Sequence, residues 1–171
     1  MKAQAACQLD AYFDFLKNER RLSPHTLSNY RRDLDTLASF CDAHGLDDWR
    51  TLHVQQARAF AAQLHRQGLA GRSIARALSA ARSFHRYLLR EGQAAHNAFI
   101  GVAAPKAGKR LPKALSVDQA ARLMQIDGDE PLTRRDRALF ELLYSSGLRL
   151  AELVSINVTD VDLRDATVTV T

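Results

Sequence analysis

No stretch of the 171 residues approaches the roughly 18 consecutive apolar residues of a membrane-spanning helix, and Met1-Lys2-Ala3-Gln4 opens no apolar secretory leader. Membrane insertion and secretion are therefore not expected, and the cytoplasm is the expected compartment. Cysteine is nearly absent. Cys7 and Cys41 each occupy an apolar position of a helical pattern, outside any Cys-x-x-Cys or Cys/His cluster, so both are expected as buried free thiols and not as a disulfide or zinc site. The histidines His25, His44, His53, His65, His85 and His96 also lack metal-ligand spacing and read as surface or packing residues. Internal repeats and low-complexity tracts are missing as well. The most informative absence is of acid: from Trp49 to Arg90 there is no aspartate or glutamate.

With 46% hydrophobic residues, the chain can build the core of one ordinary domain or two small ones. The acid-free stretch holds Arg50, Arg58, Arg66, Arg72, Arg76, Arg82, Arg86 and Arg90. It therefore carries +8 in a chain whose net charge is +5, which leaves −3 for the remainder. Such asymmetry points to a polyanionic partner, because clustered arginine neutralises phosphates and releases their counterions.

Four helices are expected in the first hundred residues. Leu9, Tyr12, Phe13 and Leu16 share helical spacing over about 5–19. Ser23-Pro24 is an N-cap followed by proline at the first helical position, and Leu27, Tyr30, Leu34, Leu37 and Cys41 then recur every three or four residues until Gly45. A third helix, about 54–67, anchors on Phe60 and Leu64. A fourth, about 71–90, buries Ile74, Leu78, Ala81, Phe84 and Leu88. On its opposite face Arg72, Arg76, Ser79, Ser83, Arg86 and Arg90 follow one another at steps of three or four, with Arg82 bordering them. A solvated stripe normally mixes both signs, so this one is expected to contact DNA. Ser23, His25, Thr26, Ser28, Arg31 and Arg32 add a smaller set at the start of the second helix, where hydroxyls and helix N-termini suit phosphate oxygens. Tyr30 reads as a core residue.

Residues 105–113 carry two prolines, a glycine and four cations, and read as a linker between a domain at 1–104 and another at 114–171. Ser116-Val117-Asp118-Gln119 has the form of a capping box. Helices are expected over about 132–145, closed by Gly147, and about 150–156. The alternating 160–163 and 166–171 read as two short strands around Arg164-Asp165. A two-stranded ribbon is marginal by itself, so this domain is expected to be a piece of a larger one.

Several separated motifs occur together in order. They are Leu22-Ser23-Pro24-x-Thr26-Leu27-x-Asn29-Tyr30-x-Arg32-x-Leu34; Ser73 with Leu78-Ser79-Ala80-x-Arg82-Ser83-Phe84; Ala104-Pro105-Lys106 with Leu111-Pro112; Arg135-Asp136-Arg137-Ala138-Leu139; and Tyr144-Ser145-Ser146-Gly147-Leu148-Arg149-Leu150-Ala151-Glu152-Leu153. Over nearly the whole chain this set resembles the bacterial site-specific tyrosine recombinases of the Xer type, and most the XerC branch. The resemblance implies a mainly α fold: a four-helix N-terminal core-binding (SAM-like) domain, then the start of an α+β catalytic domain, the two closing as a clamp on duplex DNA. Ser73, Lys106, Lys109 and Arg110 join the expected DNA contacts.

Arg149, in the family's Gly-Leu-Arg-x-x-Glu-Leu motif, is implied to contact the scissile phosphate, with Glu152 supporting it. Outside that motif the two would read as an ordinary surface ion pair three residues apart. A guanidinium can hold two non-bridging oxygens by parallel hydrogen bonds, which lysine cannot. The implied chemistry forms a covalent 3′-phosphotyrosine and needs no metal, ATP or other cofactor. The implied partners are a recombination site, a related second recombinase (XerD-like) in a heterotetramer, and a septal DNA translocase, acting in chromosome dimer resolution. The family's lysine, His-x-x-Arg motif and nucleophilic tyrosine are expected after Thr171. Tyr12, Tyr30, Tyr87 and Tyr144 read as packing residues, so these 171 residues are expected to bind DNA without cutting it. The alternatives are a non-catalytic DNA-binding protein and a mobile-element integrase.

Overall fold

The computed structural model describes residues 3–106 and 114–170, in two compact units, Met1–Lys109 and Arg110–Thr171. Lys109 and Arg110 lie outside the described residues. Among those described, no helix is long and apolar enough to cross a membrane.

Unit 1 contains α1 (Ala3–Asn18), α2 (Pro24–Ala43), α3 (Val54–Arg66) and α4 (Gly71–Arg90). The Ser23 hydroxyl accepts the Thr26 N–H at 3.3 Å and caps α2, with Pro24 in the first turn. The apolar stripe of α4 is buried as its periodicity predicts, and so are Leu9, Tyr12, Phe13 and Leu16 of α1 and Phe60 and Leu64 of α3. Cys41 is buried, but Cys7 is exposed, contrary to the sequence expectation. The buried stripe of α1 runs through Ala5 and Leu9; at about 100° per residue, Cys7 lies some 200° from both.

One element of unit 1 has no counterpart in the sequence reading. Asp48 accepts the Arg50 N–H at 2.9 Å and starts a single tight helical turn, Trp49–Thr51. That turn sinks Trp49 into the core. Its indole N–H donates to the Ala5 carbonyl at 3.0 Å, and its ring meets Phe84 edge-on at 5.1 Å.

After α4 the chain returns beneath the helix and buries Ala98, Phe99 and Val102. Asn97 organises the return: its amide donates to the Arg82 carbonyl at 2.9 Å and its carbonyl oxygen accepts the Phe99 N–H at 3.0 Å. Phe99 packs edge-on against His85, 5.0 Å away. His85 is buried with neither ring nitrogen hydrogen-bonded, and burial pushes its pKa down to about 4.

Unit 2 contains α5 (Val117–Met124), α6 (Pro131–Ser146), α7 (Leu150–Ser155) and an antiparallel pair, β1 (Val161–Asp162) and β2 (Thr167–Val168), with Val161 opposite Val168. The capping box forms: Ser116 Oγ accepts the Gln119 N–H at 3.2 Å and Gln119 Oε1 accepts the Ser116 N–H at 2.9 Å. Arg137 donates to the Ile126 and Gly128 carbonyls and holds the turn between α5 and α6. Among the described hydrophobic residues of this unit only Leu153 is buried. Leu132, Leu150 and Val154 are exposed, and so is Tyr144, at 63%, which therefore does not pack as the sequence reading expects.

Candidate nucleic-acid interface

The acid-free stretch acquires acids when the helices pack. Arg76 donates through Nε and Nη2 to the two carboxylate oxygens of Asp33 on α2, at 2.9 and 3.1 Å. Asp33 is 8% exposed at its side chain and Arg76 38%. Arg50 pairs with Asp48 at 2.7 Å. Arg90 pairs with Glu91 at 2.8 Å and approaches Glu19 at 3.8 Å, and its guanidinium lies over the Phe15 ring. Arg82 donates to the Phe99 and Val102 carbonyls at 3.2 and 3.1 Å, which fastens the returning chain to α4. Arg76 and Arg82, expected on the DNA face, thus have their guanidinia engaged inside unit 1.

The other four arginines of the stretch, Arg58, Arg66, Arg72 and Arg86, have no acid partner among the described residues. Arg72 and Arg86 are exposed on the α4 stripe; Ser79 is exposed between them and Ser83 half-buried. Ser73 is half-buried in the first turn of α4, and Lys106 is exposed. On α2, Arg32 is exposed with no ion-pair partner among the described residues, while the Ser23 and Thr26 hydroxyls bond each other at 3.0 Å. Arg31 turns away: it pairs with Asp10 of α1 at 2.9 Å and covers the Phe13 ring at 3.9 Å. Arg32 on α2 remains, with Arg72, Ser79, Ser83 and Arg86 along one stripe of α4. A surface of this kind, cationic and rich in hydroxyls, suits a phosphate backbone.

Sequence reasoning missed Asp33, although its spacing gave a signal. Asp33 falls three residues after Tyr30 and four before Leu37, an acid in the apolar stripe of its helix. Such a residue needs a buried cation. Arg20 was missed too. It sits in the turn after α1, outside any stripe, and has no acid partner among the described residues.

In unit 2, Gly147 closes α6 at φ +65, a left-handed conformation that costs glycine little. The turn sets Arg149 at the N-cap of α7, with its side chain 85% exposed. Glu152 holds it twice: Oε2 accepts the Arg149 backbone N–H at 2.7 Å and Oε1 accepts from Nη1 at 2.5 Å. Those two hydrogen bonds, backbone first, keep the Glu152 carboxyl below its ordinary pKa and therefore charged. The Nε and Nη2 donors of Arg149 have no partner among the described residues. They form one edge of the guanidinium, the edge a phosphate can accept from. Glu152 thus orients the arginine without consuming its fork.

Residues 9–92 match the phage integrase N-terminal SAM-like domain, and residues 113–171 match the phage integrase family. The chain is 48% identical over 164 residues to a protein of Pseudomonas fluorescens named tyrosine recombinase XerC, covering 95% of the chain and 55% of that protein. It is 48% identical over 165 residues to one of the same name from Alcanivorax borkumensis, covering 95% and 53%. The chain therefore spans about half the length of the curated relatives it matches. Among solved structures, the Tn1549 transposon integrase in complex with a circular intermediate DNA aligns with a TM-score of 0.67 at 15% identity, over 91% of this chain and 49% of that one. A lambda integrase dimer bound to a COC′ core site aligns with 0.67 at 21% identity, over 92% and 43%. These two share its fold. The two family matches lie in order along the chain and the relatives agree along almost all of it, so the chain belongs to the phage integrase family, among the XerC-type tyrosine recombinases.

Proposed function

We propose that this chain carries the duplex grip and the phosphate-binding arginine of a site-specific DNA recombinase. The observation that carries the reading is the pairing of two features in one XerC-type chain: a face on α2 and α4 whose Arg32, Arg72 and Arg86 have no acid partner among the described residues, and Arg149 held by Glu152 with one guanidinium edge open among those residues. The face binds backbone phosphates through Arg32, Arg72 and Arg86, with Ser79 and Ser83 as neutral donors; Arg76 ties α4 to α2 beneath it and Arg82 fastens the returning chain to α4. Arg149 neutralises the charge that builds on the non-bridging oxygens as a tyrosine attacks the scissile phosphate. The reaction conserves the bond energy in a 3′-phosphotyrosine, so no external energy source is required. The role that fits the XerC relatives is chromosome dimer resolution in the cytoplasm, with a second recombinase and a septal DNA translocase. The 48% identity to the XerC relatives over 95% of the chain supports this reading.

Two measurements test the reading. Arg72→Ala combined with Arg86→Ala should lower the slope of log binding constant against log salt by about 1.8, which at 0.1 M salt is roughly sixtyfold weaker binding. An unchanged slope would remove α4 from the interface. The full-length protein, mixed with its partner recombinase and site DNA, should form a covalent protein–DNA adduct. Arg149→Lys should cut adduct formation about 10²–10³-fold with duplex affinity retained. Absence of any adduct from the unsubstituted protein would make it a binding module instead.

A further inference from the structure

A cavity of about 450 Å³ lies between the end of α1, α2 and the second half of α4. Its polar lining comes from Arg20, Arg86, Arg90, Tyr30 and Ser83, and no acid takes part. The arginines differ in their availability. Arg90 is committed to Glu91, Glu19 and the Phe15 ring, whereas Arg20 and Arg86 have no acid partner among the described residues. Tyr30, read from sequence as core, is half-buried and lines this cavity. The Tyr12 hydroxyl is buried close by, beside the Ser83 hydroxyl. Burial pushes its pKa up to about 12, and the groups acting on it, Ser83, Tyr30, Arg86 and Arg20, are all members of the cavity lining. Two unpaired guanidinia, several hydroxyls and no carboxylate in one concavity lack only an anion.

We propose that this cavity is a phosphate subsite that takes one phosphodiester of a bound duplex, held by the guanidinia of Arg20 and Arg86 and by the hydroxyls of Ser83 and Tyr30. Guanidinium forks match phosphate oxygens in geometry, and charge-assisted bonds of this kind are about twice as strong as neutral ones. The volume exceeds what a phosphate alone needs and falls within the range of small-ligand pockets, about 300–1,000 Å³. It therefore accommodates the attached deoxyribose as well, against Phe15 and Tyr87 on the apolar wall. The assignment of the phosphate to DNA rests on the proposed function, because Ser83 and Arg86 belong to the α4 stripe. The subsite extends the interface to the turn after α1, a segment outside the helices read from sequence as DNA-facing.

The test uses the 171-residue chain with inorganic phosphate as probe, exchanged for chloride at constant ionic strength. The arginine Nε–H resonances of Arg20 and Arg86 should shift saturably, those of Arg58 and Arg66 should not, and Arg20→Ala should abolish the shift at Arg86. With random-sequence duplex, Arg20→Ala should lower the salt slope by about 0.9. Unchanged Trp49 fluorescence certifies the fold of the variant. Saturable shifts with a lowered slope support the proposal. Saturable shifts with an unchanged slope mean a free phosphate-bearing ligand and overturn the assignment to DNA. Absence of saturable shifts overturns the subsite. If the unsubstituted chain binds no duplex at all, the proposed function fails, while the phosphate titration still reports on the cavity.

Discussion

Arg76→Ala is expected to destabilise unit 1 by about 1–3 kcal/mol, and Asp33→Ala by much less. The asymmetry follows from burial. Removing Arg76 strands a carboxylate that is 8% exposed, whereas removing Asp33 leaves a guanidinium that is 38% exposed and can turn to water. Replacing both with apolar residues of similar size, Asp33→Leu with Arg76→Met, should recover most of the loss, because neither charge is then left buried. Trp49 is the chain's single tryptophan and lies in the core of unit 1, so its fluorescence in urea reports this unit alone. Equal losses for the two single substitutions would show that the pair acts as an exposed ion pair. The pair matters for function because it joins the two helices that carry the proposed DNA face.

The second large effect is on pH dependence. Burial holds the His85 pKa down at about 4, against about 6.5 in an unfolded chain. Between those values the unfolded chain binds a proton that the folded chain refuses. Stability from this residue is therefore full above pH 6.5, falls as the pH drops, and stops falling near pH 4. The total loss is roughly 3 kcal/mol, at 1.36 kcal/mol per pKa unit. Denaturation followed through Trp49 at pH 7, 5.5 and 4.5 should show this decline, and His85→Leu should be flatter across the same window. Parallel curves for the two proteins would mean that the imidazole reaches water in the folded state. The residue packs on Phe99, so acid is expected to loosen the returning segment held by Arg82 first.

Much of the helical layout could be read from the sequence because its determinants are local. Ser23-Pro24 and the Ser116–Gln119 box announce helix starts, Gly147 marks a stop, and the spacing of Ile74, Leu78, Ala81, Phe84 and Leu88 sets which side of α4 turns inward. The Trp49–Thr51 turn escaped because three residues carry no periodicity; it exists because Asp48 caps it and the core accepts an indole. Arg149 and Glu152 were found through their motif. Only the structure shows that Glu152 takes Nη1 and the backbone N–H while leaving one edge of the guanidinium open.

The sequence by itself determined the spans of the main helices, the inward face of α4 and the charge excess of 49–90, since each depends on neighbours within a turn or two. Which arginines remain free was decided by tertiary structure. The acid that engages Arg76 lies 43 residues away on another helix. The carbonyls that engage Arg82 lie 17 and 20 residues away, on a segment folded back beneath α4. A count of charge along the chain treats every arginine alike, whereas packing engages Arg76, Arg82 and Arg90, Asp48 two residues away takes Arg50, and Arg72 and Arg86 stay exposed on the α4 stripe without an acid among the described residues.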